Sequence, residues 1–489
     1  MFLTFSDSAK FAEAAQSFLS GQGLTIHHSF FSSSALVSYY PGQSWPANFL
    51  PLSSILMAIV FKYFPVNDFT IGTIGFILFF ICLGLTFLIA RKLHSTRAGL
   101  FSTILLGSSL YFFEYAGNAS TEIFFTAEIL IFTYLVLQKS KICWLALLPL
   151  LAMFLTRQQA ILFLLALPTY FIFFYLKNWR QQVLSILAVA LFLLSFYLLV
   201  KGDVSSIYSP LKPFYSAQTA AGVNQGNYLR GQEFTAGPVS LKSISSKILY
   251  NVYNFAKSPD RLGPTVIFFL FLFSFFNQRF RQFNYYTGTT LFFFVLGASA
   301  SIPNARYVHP IMPLVIISAS LTLIQILEKF SPKRLDIKLA LIIFFLTLTT
   351  IGYFTLDARF RAQQFNLDKP PVYRQISTLM AESIPKGKLV ITNLDAWSAW
   401  YEGLTTMWFP LSPDQLAGFQ DKVSYIVITN YKEHDGDFAL GDWREVVYSP
   451  EKIGNQFLKT NYRLLTTFEI RPEQVYENQS YLGTILVRR

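Results

Sequence analysis

Four charged residues lie where an apolar segment meets a polar one, and their types suit acid–base chemistry beside an anion. Asp7 opens a polar segment, Glu122 heads an apolar run, and Arg157 and Arg306 each lie beside one. A carboxylate can take the proton of an attacking hydroxyl, and the planar guanidinium of arginine fits a phosphate. An arginine at the edge of an apolar segment is costly unless it meets an anion. These four residues are the candidate site.

For Asp7 and the two arginines, the spacing also allows a purely structural role. Asp7 or Ser6 could serve only as the N-cap of the helix predicted over 6–21. Either arginine of the set could instead extend to lipid headgroups. Glu128 follows Glu122 by six residues and does not share its helix face, so we expect Glu128 to form an interhelical hydrogen bond.

The composition is that of a membrane protein. Of 489 residues, 53% are hydrophobic, 17% are aromatic and only 13% are charged. The net charge of +12 belongs to residues 1–356, which hold 24 basic and 11 acidic residues against 15 and 16 in the remainder. Such an excess sets membrane topology and requires no nucleic acid. Two cysteines form no disulfide framework, and the adjacent His27 and His28 are expected to diverge, which disfavours a zinc site.

Ten apolar segments are long enough, or nearly so, to cross the hydrocarbon core of a bilayer as helices. Lys and Arg are concentrated in every second connection between these segments, and the positive-inside rule places those connections in the cytoplasm. We therefore expect a polytopic α-helical membrane protein, located in the plasma membrane of a prokaryote. The predicted spans are 69–90, 98–113, 119–137, 144–155, 160–176, 183–200, 264–276, 287–302, 307–327 and 339–356.

This topology assigns the polar segments to the outer side of the membrane. The first loop, residues 6–48, the long loop 201–261 and the tail, residues 357–489, are all predicted to be external. The segment 49–64 is short and contains Lys62, so we expect a helix that lies in the outer interface. Residues 1–356 are then a membrane domain, and a further span is expected to precede Met1 and deliver the first loop.

The tail has the pattern of a small α/β domain. Short β-branched and aromatic runs alternate with helical segments, and Ser412 followed by Pro413 is a typical helix start. No glycine-rich phosphate loop follows any of the predicted strands, so nucleotide binding has no support. The predicted strands are 388–392, 405–409, 423–428 and 481–487, and the predicted helices are 395–401 and 412–419.

Taken in order, several short motifs resemble those of the GT-C membrane glycosyltransferases. Asp7 is followed by a helix that ends in the glycine pair Gly21 and Gly23, and then by Trp45-Pro-Ala-Asn-Phe-Leu-Pro51. The resemblance is strongest to the family-39 type, which includes protein mannosyltransferases and aminoarabinose-lipid A transferases. The motifs that continue it lie at 90–99, 118–122, 155–157, 258–263 and 305–310.

The resemblance implies roles for two of the acids. Asp7 corresponds to the catalytic base or metal-linked acid of the first external loop, and Glu122 corresponds to a second acid in the next one. Many relatives carry another acid directly after the first, where this chain has Ser8. The role of the first acid in the family makes a divalent metal ion one candidate cofactor. Because Ser8 replaces the second acid, however, the sequence identifies no carboxylate pair to bind it.

The resemblance and the topology imply the same reaction. Nucleotide sugars are cytoplasmic, the cytoplasmic connections are too short to form a site, and the candidate residues face outward. We expect a hexosyl- or pentosyltransferase that moves a sugar from a polyprenyl-phosphate donor to a hydroxyl of a lipid, glycan or protein. Asp7 would be the base, while Arg157 and Arg306 would bind the donor phosphate. The alternatives are a lipid or polysaccharide transporter or flippase, or a polysaccharide polymerase or ligase.

Single cysteines test the predicted topology. Cysteines at Ser216 and Thr460 should react with a membrane-impermeant thiol reagent in intact cells, because both positions are predicted to be external. A cysteine at Ser331 should react only after lysis. The background is the protein with Cys82 and Cys143 replaced by Ala, and labelling is read as a gel shift. Labelling of intact cells at Ser331 alone would invert the topology.

Overall fold

The described part of residues 1–356 is mostly helical. The structure, a computed structural model, describes residues 2–47, 49–138, 141–174, 176, 178–184, 187, 230, 241–301, 303–329, 342, 370–434, 438–471 and 480–489. The helices of residues 1–356 in that part are α1 (Ser6–Leu19), α2 (Ser33–Ser38), α3 (Leu52–Phe61), α4 (Asp68–Leu93), α5 (Thr96–Gly107), α6 (Leu110–Gly117), α7 (Thr121–Val136), α8 (Leu147–Thr156), α9 (Ala160–Phe174), α10 (Leu241–Lys257), α11 (Thr265–Ser274), α12 (Arg281–Ala300) and α13 (Met312–Glu328).

Among the described residues, two helical segments are long and apolar enough to cross a membrane. They are α4, with 26 residues, and His309–Glu328, which contains α13 and is 89% buried over its apolar window. A third candidate is the pair α6 and α7, which would be one span bent by 112°. The predicted spans 183–200 and 339–356 lie almost entirely outside the described residues, as does most of the loop 201–261. The number of about ten spans stays a prediction.

The segment predicted as one span over 98–113 is instead two helices. α5 ends at Gly107, and Ser109 is extended, so the chain changes direction before α6. α6 then packs closely on α4, since a Cβ atom added to Gly75 would lie 1.9 Å from the carbonyl oxygen of Ala116. The turn into α7 uses Ala119 at a φ of 42°, a conformation that L-residues rarely adopt. This corner fixes where α7 begins.

The helix predicted over 49–64 is present as α3, which has ten residues. A helix of that length is about 15 Å long and cannot cross a bilayer core. It packs against α1, where Ser54 Oγ donates a hydrogen bond to the carbonyl oxygen of Phe11 at 2.9 Å. Its position in the membrane interface stays a prediction.

The tail contributes five strands to a six-stranded mixed sheet, which is completed by β2 (His28–Ser29) of the first loop. The strand order is β2-β5-β4-β6-β8-β7. Strands occur at the four predicted positions, as does the helix predicted over 395–401. The helix predicted over 412–419 is wrong: only one 3-10 turn forms, because the chain leaves helical geometry at Ala417 and Gly418 has a φ of 87°. The elements are β4 (Leu389–Thr392), β5 (Thr405–Trp408), β6 (Val423–Thr429), β7 (Tyr462–Ile470), β8 (Tyr481–Arg488), α14 (Val372–Ser383), α15 (Asp395–Glu402), α16 (Arg444–Tyr448) and α17 (Gln456–Asn461).

The first loop supplies a strand to this sheet. The loop contains β1 (Thr25–Ile26), β2 (His28–Ser29) and β3 (Trp45–Pro46), and β2 pairs in parallel with β5. At the start of α4, Asp68 accepts hydrogen bonds from Trp400 Nε1 at 2.8 Å and from the Tyr401 hydroxyl at 2.7 Å. The first loop, the N-terminal end of α4 and the tail therefore lie together, and a division at residue 356 does not separate two independent units.

Candidate active site

The four residues predicted from the sequence lie in one cluster. Asp7 is in the first turn of α1, and Glu122 is in the first turn of α7. Arg157 directly follows the last residue of α8, and Arg306 lies in a 3-10 turn between α12 and α13. The cluster thus joins segments that are up to 299 residues apart along the chain.

Glu122 holds both arginines. Its side chain is fully buried, and its Oε1 accepts hydrogen bonds from Arg306 Nε and from Arg157 Nη1, the latter at 2.6 Å. Arg157 also donates to Thr121 Oγ1 at 2.7 Å and to Gln159 Oε1 at 2.5 Å. A buried carboxylate is costly unless charges and hydrogen bonds compensate it, and here two guanidinium groups do so. Glu122 therefore fixes the positions of both arginines.

Asp7 is the more accessible acid of the cluster. Its side chain is 43% exposed, and its Oδ2 accepts a hydrogen bond from Arg306 Nη2 at 2.9 Å. Lys10 Nζ lies 3.7 Å from the other carboxylate oxygen. Desolvation alone would raise the pKa of Asp7, but the positive charges of Arg306 and Lys10 outweigh it and hold the pKa at about 2. Asp7 is thus ionised at neutral pH and reachable by a ligand.

The N-cap alternative for Asp7 finds no support. The N-cap of α1 is Phe5, and no side chain caps that end of the helix. The first turn of α1 instead directs Asp7 toward Arg306. A carboxylate in this first turn also lies at the positive end of the helix dipole, which favours its charged form.

The two arginines differ in exposure. Arg157 is 8% exposed and Arg306 is 28% exposed. Burial lowers the pKa of Arg306, but the charges of Glu122 and Asp7 raise it further, and the net result is a pKa well above its usual value. With Lys10 included, the cluster holds three cations and two carboxylates. Its net charge of about +1 suits a ligand with a single negative charge.

Hydrogen bonds from neighbouring elements position the cluster. Thr156 Oγ1 donates to Glu128 Oε1 at 2.6 Å, which joins α8 to α7 just before Arg157 and confirms the interhelical hydrogen bond expected for Glu128. The Tyr115 hydroxyl lies 2.5 Å from His309 Nδ1, three residues after Arg306. The first contact ties the Arg157 turn to the middle of α7, and the second ties the Arg306 turn to α6, just before the corner at which α7 begins.

Asn118 joins the same corner to the chain before Asp7. Its Oδ1 accepts hydrogen bonds from the backbone N–H groups of Thr4 at 2.7 Å and Phe5 at 3.0 Å, and its Nδ2 donates to Thr4 Oγ1 at 2.8 Å. Sequence reasoning did not assign this role to Asn118. Its place in the motif at 118–122 was the available signal.

The cluster does not fit a divalent metal ion. In the part of the chain that the structure describes, no three His, Cys, Asp or Glu side chains gather in an arrangement that could hold one. Asp7 and Glu122 both accept hydrogen bonds from Arg306, and Ser8 supplies no second acid beside Asp7. No step of the reaction is therefore assigned to a metal.

A second polar cluster forms around Glu13, further along α1. The expectation that the His27 and His28 side chains diverge is wrong, because the chain bends at His27 between β1 and β2. His27 Nδ1 lies 3.0 Å from Glu13 Oε1, and His28 Nδ1 lies 2.6 Å from Glu13 Oε2. Burial raises the pKa of Glu13, but the charge of His28 and hydrogen bonds from both histidines lower it to about 2. Nothing in the sequence spacing indicated this cluster.

Comparison with known proteins gives one family match and several fold matches. Residues 46–200 match the family model of dolichyl-phosphate-mannose-protein mannosyltransferases. ArnT from Cupriavidus metallidurans bound to undecaprenyl phosphate aligns over 99% of this chain and 94% of its own, with a TM-score of 0.53 and 12% identity. No protein of curated function matches the sequence at a significant level.

A second solved structure has the same fold. AglB from Archaeoglobus fulgidus, in complex with an inhibitory peptide and a dolichol-phosphate, aligns over 90% of this chain and 68% of its own. The TM-score is 0.53 at 11% identity. These matches confirm the resemblance drawn from the motifs: the chain has the fold of the GT-C membrane glycosyltransferases, whose members are polytopic membrane proteins.

The Asp7–Arg306 ion pair predicts a pH-dependent stability. Because the pKa of Asp7 is about 2 in the folded protein and 3.8 ordinarily, the pair stabilises fully above about pH 4 and loses its effect as the pH falls toward about 2. Solvent screening of the part-exposed carboxylate limits the contribution to about 1 kcal/mol. Thermal unfolding of native protein and Asp7→Asn in detergent should differ at about pH 6 and converge only below about pH 2. A difference independent of pH would contradict the pairing.

Proposed function

We propose that the protein transfers a sugar, a hexose or a pentose, from a polyprenyl-phosphate donor to an acceptor hydroxyl of a lipid, glycan or protein. The observation that carries the proposal is that a reachable carboxylate and an anion-binding guanidinium lie 2.9 Å apart, at Asp7 and Arg306. The mannosyltransferase family match supports it. So do two solved structures of the same fold, which contain undecaprenyl phosphate and dolichol-phosphate.

The charges of the cluster match this donor. A polyprenyl-phosphate sugar carries one negative charge on its phosphodiester, and the cluster carries a net charge of about +1. Arg306 is the more exposed guanidinium and would contact the phosphate first, with Arg157 behind it. The planar fork of each arginine allows two hydrogen bonds to phosphate oxygens.

The transfer itself exchanges one C–O bond for another. The acceptor oxygen attacks the anomeric carbon and forms the new glycosidic bond, while the bond from that carbon to the phosphate oxygen breaks. The electron pair of the broken bond stays on the phosphate, and the proton of the acceptor hydroxyl passes to Asp7. The products are the glycosylated acceptor and polyprenyl phosphate with two negative charges.

Arg306 couples the two halves of this reaction. When Asp7 takes the proton it loses its charge, and Arg306 loses that partner at the moment when the phosphate gains its second negative charge. The net charge of cluster and donor together is then the same before and after transfer, so no charge is left unpaired in a water-poor site. Donor binding would also draw Arg306 away from Asp7, which raises the pKa of Asp7 and makes it a better base.

We place the reaction on the outer face of the membrane. Asp68 and Arg91 lie near opposite ends of α4, about 35 Å apart along the helix axis. The site and the tail lie at the Asp68 end, where Asp68 contacts Trp400. Arg91 lies in the last turn of α4 at the other end, beside a connection whose positive charge predicts a cytoplasmic location.

Asp7→Asn tests the general base. The amide keeps the size of the side chain but cannot take the proton, so transfer should slow by about a hundred- to ten-thousand-fold while donor binding persists. The rate is measured as transfer of radiolabelled sugar, and donor binding is measured separately. Asp442→Asn, which changes an exposed acid of the tail outside the cluster, is the matched control and should keep its activity. An active Asp7→Asn protein would contradict this mechanism.

Arg306→Lys tests the contact with the phosphate. Lysine keeps the charge but loses the fork, so the KM for the donor should rise by about tenfold or more while the KM for the acceptor changes little. The control is Arg281→Lys, an exposed position at the start of α12. If Arg306→Ala leaves donor affinity intact, Arg306 does not bind the phosphate.

A further inference from the structure

A polar pocket lies between α1 and the tail, further along α1 than Asp7. Its volume is about 450 Å³, within the usual range for small-molecule sites of about 300–1,000 Å³. One wall is a stripe along α1, formed by Glu13, Gln16, Ser17 and Ser20 at helical spacing. The opposite wall belongs to the tail and includes Trp400.

We propose that this pocket binds the sugar residues of a carbohydrate acceptor that follow the reacting hydroxyl. This inference rests on the proposed function and narrows the acceptor to a glycan or a glycosylated lipid. It also gives the tail a direct part in choosing the acceptor.

The groups that line the pocket suit a neutral ligand with many hydroxyls. The carboxylates of Glu13 and Glu402 are matched by His27 and Lys386, so the pocket has little net charge. The pKa of His27 is raised because it donates a hydrogen bond to Glu13, which favours its charged form. A phosphate would face two carboxylates, and an apolar ligand would leave the polar lining without partners.

Some polar and aromatic groups of the pocket lining remain available to contact a ligand. Glu13 is engaged by both histidines, and Trp400 Nε1 is engaged by Asp68, so the indole offers mainly its ring. The amides of Gln16 and Gln22 are exposed, and each both donates and accepts. A sugar hydroxyl likewise donates and accepts, so amide side chains beside an aromatic ring fit a saccharide.

The position of the pocket fits an extended acceptor. Glu13 and Ser20 follow Asp7 by six and thirteen residues on the same helix, which corresponds to about 9 and 20 Å along its axis. A single hydroxyl compound bound at Asp7 would not reach the pocket. A helix turns by about 100° per residue, so the pocket residues of α1 lie about 80–180° around the helix axis from Asp7. An oligosaccharide whose end lies at Asp7 would therefore have to wind around α1 to enter the pocket.

Both walls are held in place without a ligand. β2 pairs with β5, and the chain just before β2 bonds to Glu13, so the first loop is fixed to both α1 and the sheet. Asp68 in turn holds Trp400 and Tyr401. A preformed pocket requires little ordering on binding, which favours affinity.

Gln16→Trp tests the proposal by filling the pocket from an exposed position of α1. Labelled donor is incubated with the native protein or the variant and with increasing amounts of neutral oligosaccharides and glycolipids extracted from the source cells. The half-saturating acceptor concentration should rise by about tenfold or more, while the KM for the donor stays within about twofold. Lys386→Trp, on the opposite wall, should have the same effect. Leu19→Trp, which is 43% exposed on α1 outside the pocket, is the matched control and should behave as native.

Donor hydrolysis separates this inference from the proposed function. Transfer to water needs no pocket, so Gln16→Trp should release polyprenyl phosphate at the native rate when acceptor is absent. Native protein that consumes no donor would contradict the proposed function itself. Unchanged acceptor dependence in Gln16→Trp and Lys386→Trp, or a loss confined to peptide acceptors, would overturn the carbohydrate pocket alone.

Discussion

The buried carboxylate of Glu122 is the constraint on which the site depends. It is the shared partner of Arg157 and Arg306, and its removal would leave two guanidinium groups close together with little compensation. The strained turn at Ala119 places it, and the Glu128 and Tyr115 contacts bring the arginines to it. The helices of residues 1–356 thus hold a fixed pair of cations at one end of the bundle.

Asp7 adds a second carboxylate to this cluster, because it contacts Arg306, which also contacts Glu122. The first loop carries it to Arg306, and the same loop is bound to the tail through β2. The helix α1 therefore has two roles, because it carries the proposed proton acceptor Asp7 and also forms a wall of the polar pocket. The role of the tail follows from this link, since it supports α1 at a distance from the phosphate cluster.

The sequence singled out the four charged residues of the cluster but not the contacts between them. Asp7, Glu122, Arg157 and Arg306 could be selected because a charge at the edge of an apolar segment is costly. Their pairing could not, since Arg306 is 184 residues from Glu122 and 299 from Asp7. The strands with buried faces were predicted, whereas β7 was missed because most of its side chains are exposed and show no alternation. The two-residue strand β2 is too short to leave a pattern.

The most direct test of glycosyl transfer is the fate of the donor in a purified system. Native protein in detergent is incubated with polyprenyl phosphates that carry a radiolabelled sugar and with a membrane extract as the source of acceptors. Label should move to an acceptor, and an equal amount of polyprenyl phosphate should be released. If every donor remains chemically intact while protein in vesicles moves labelled donor between the leaflets, the chain is a flippase with a GT-C fold, and glycosyl transfer is not its reaction.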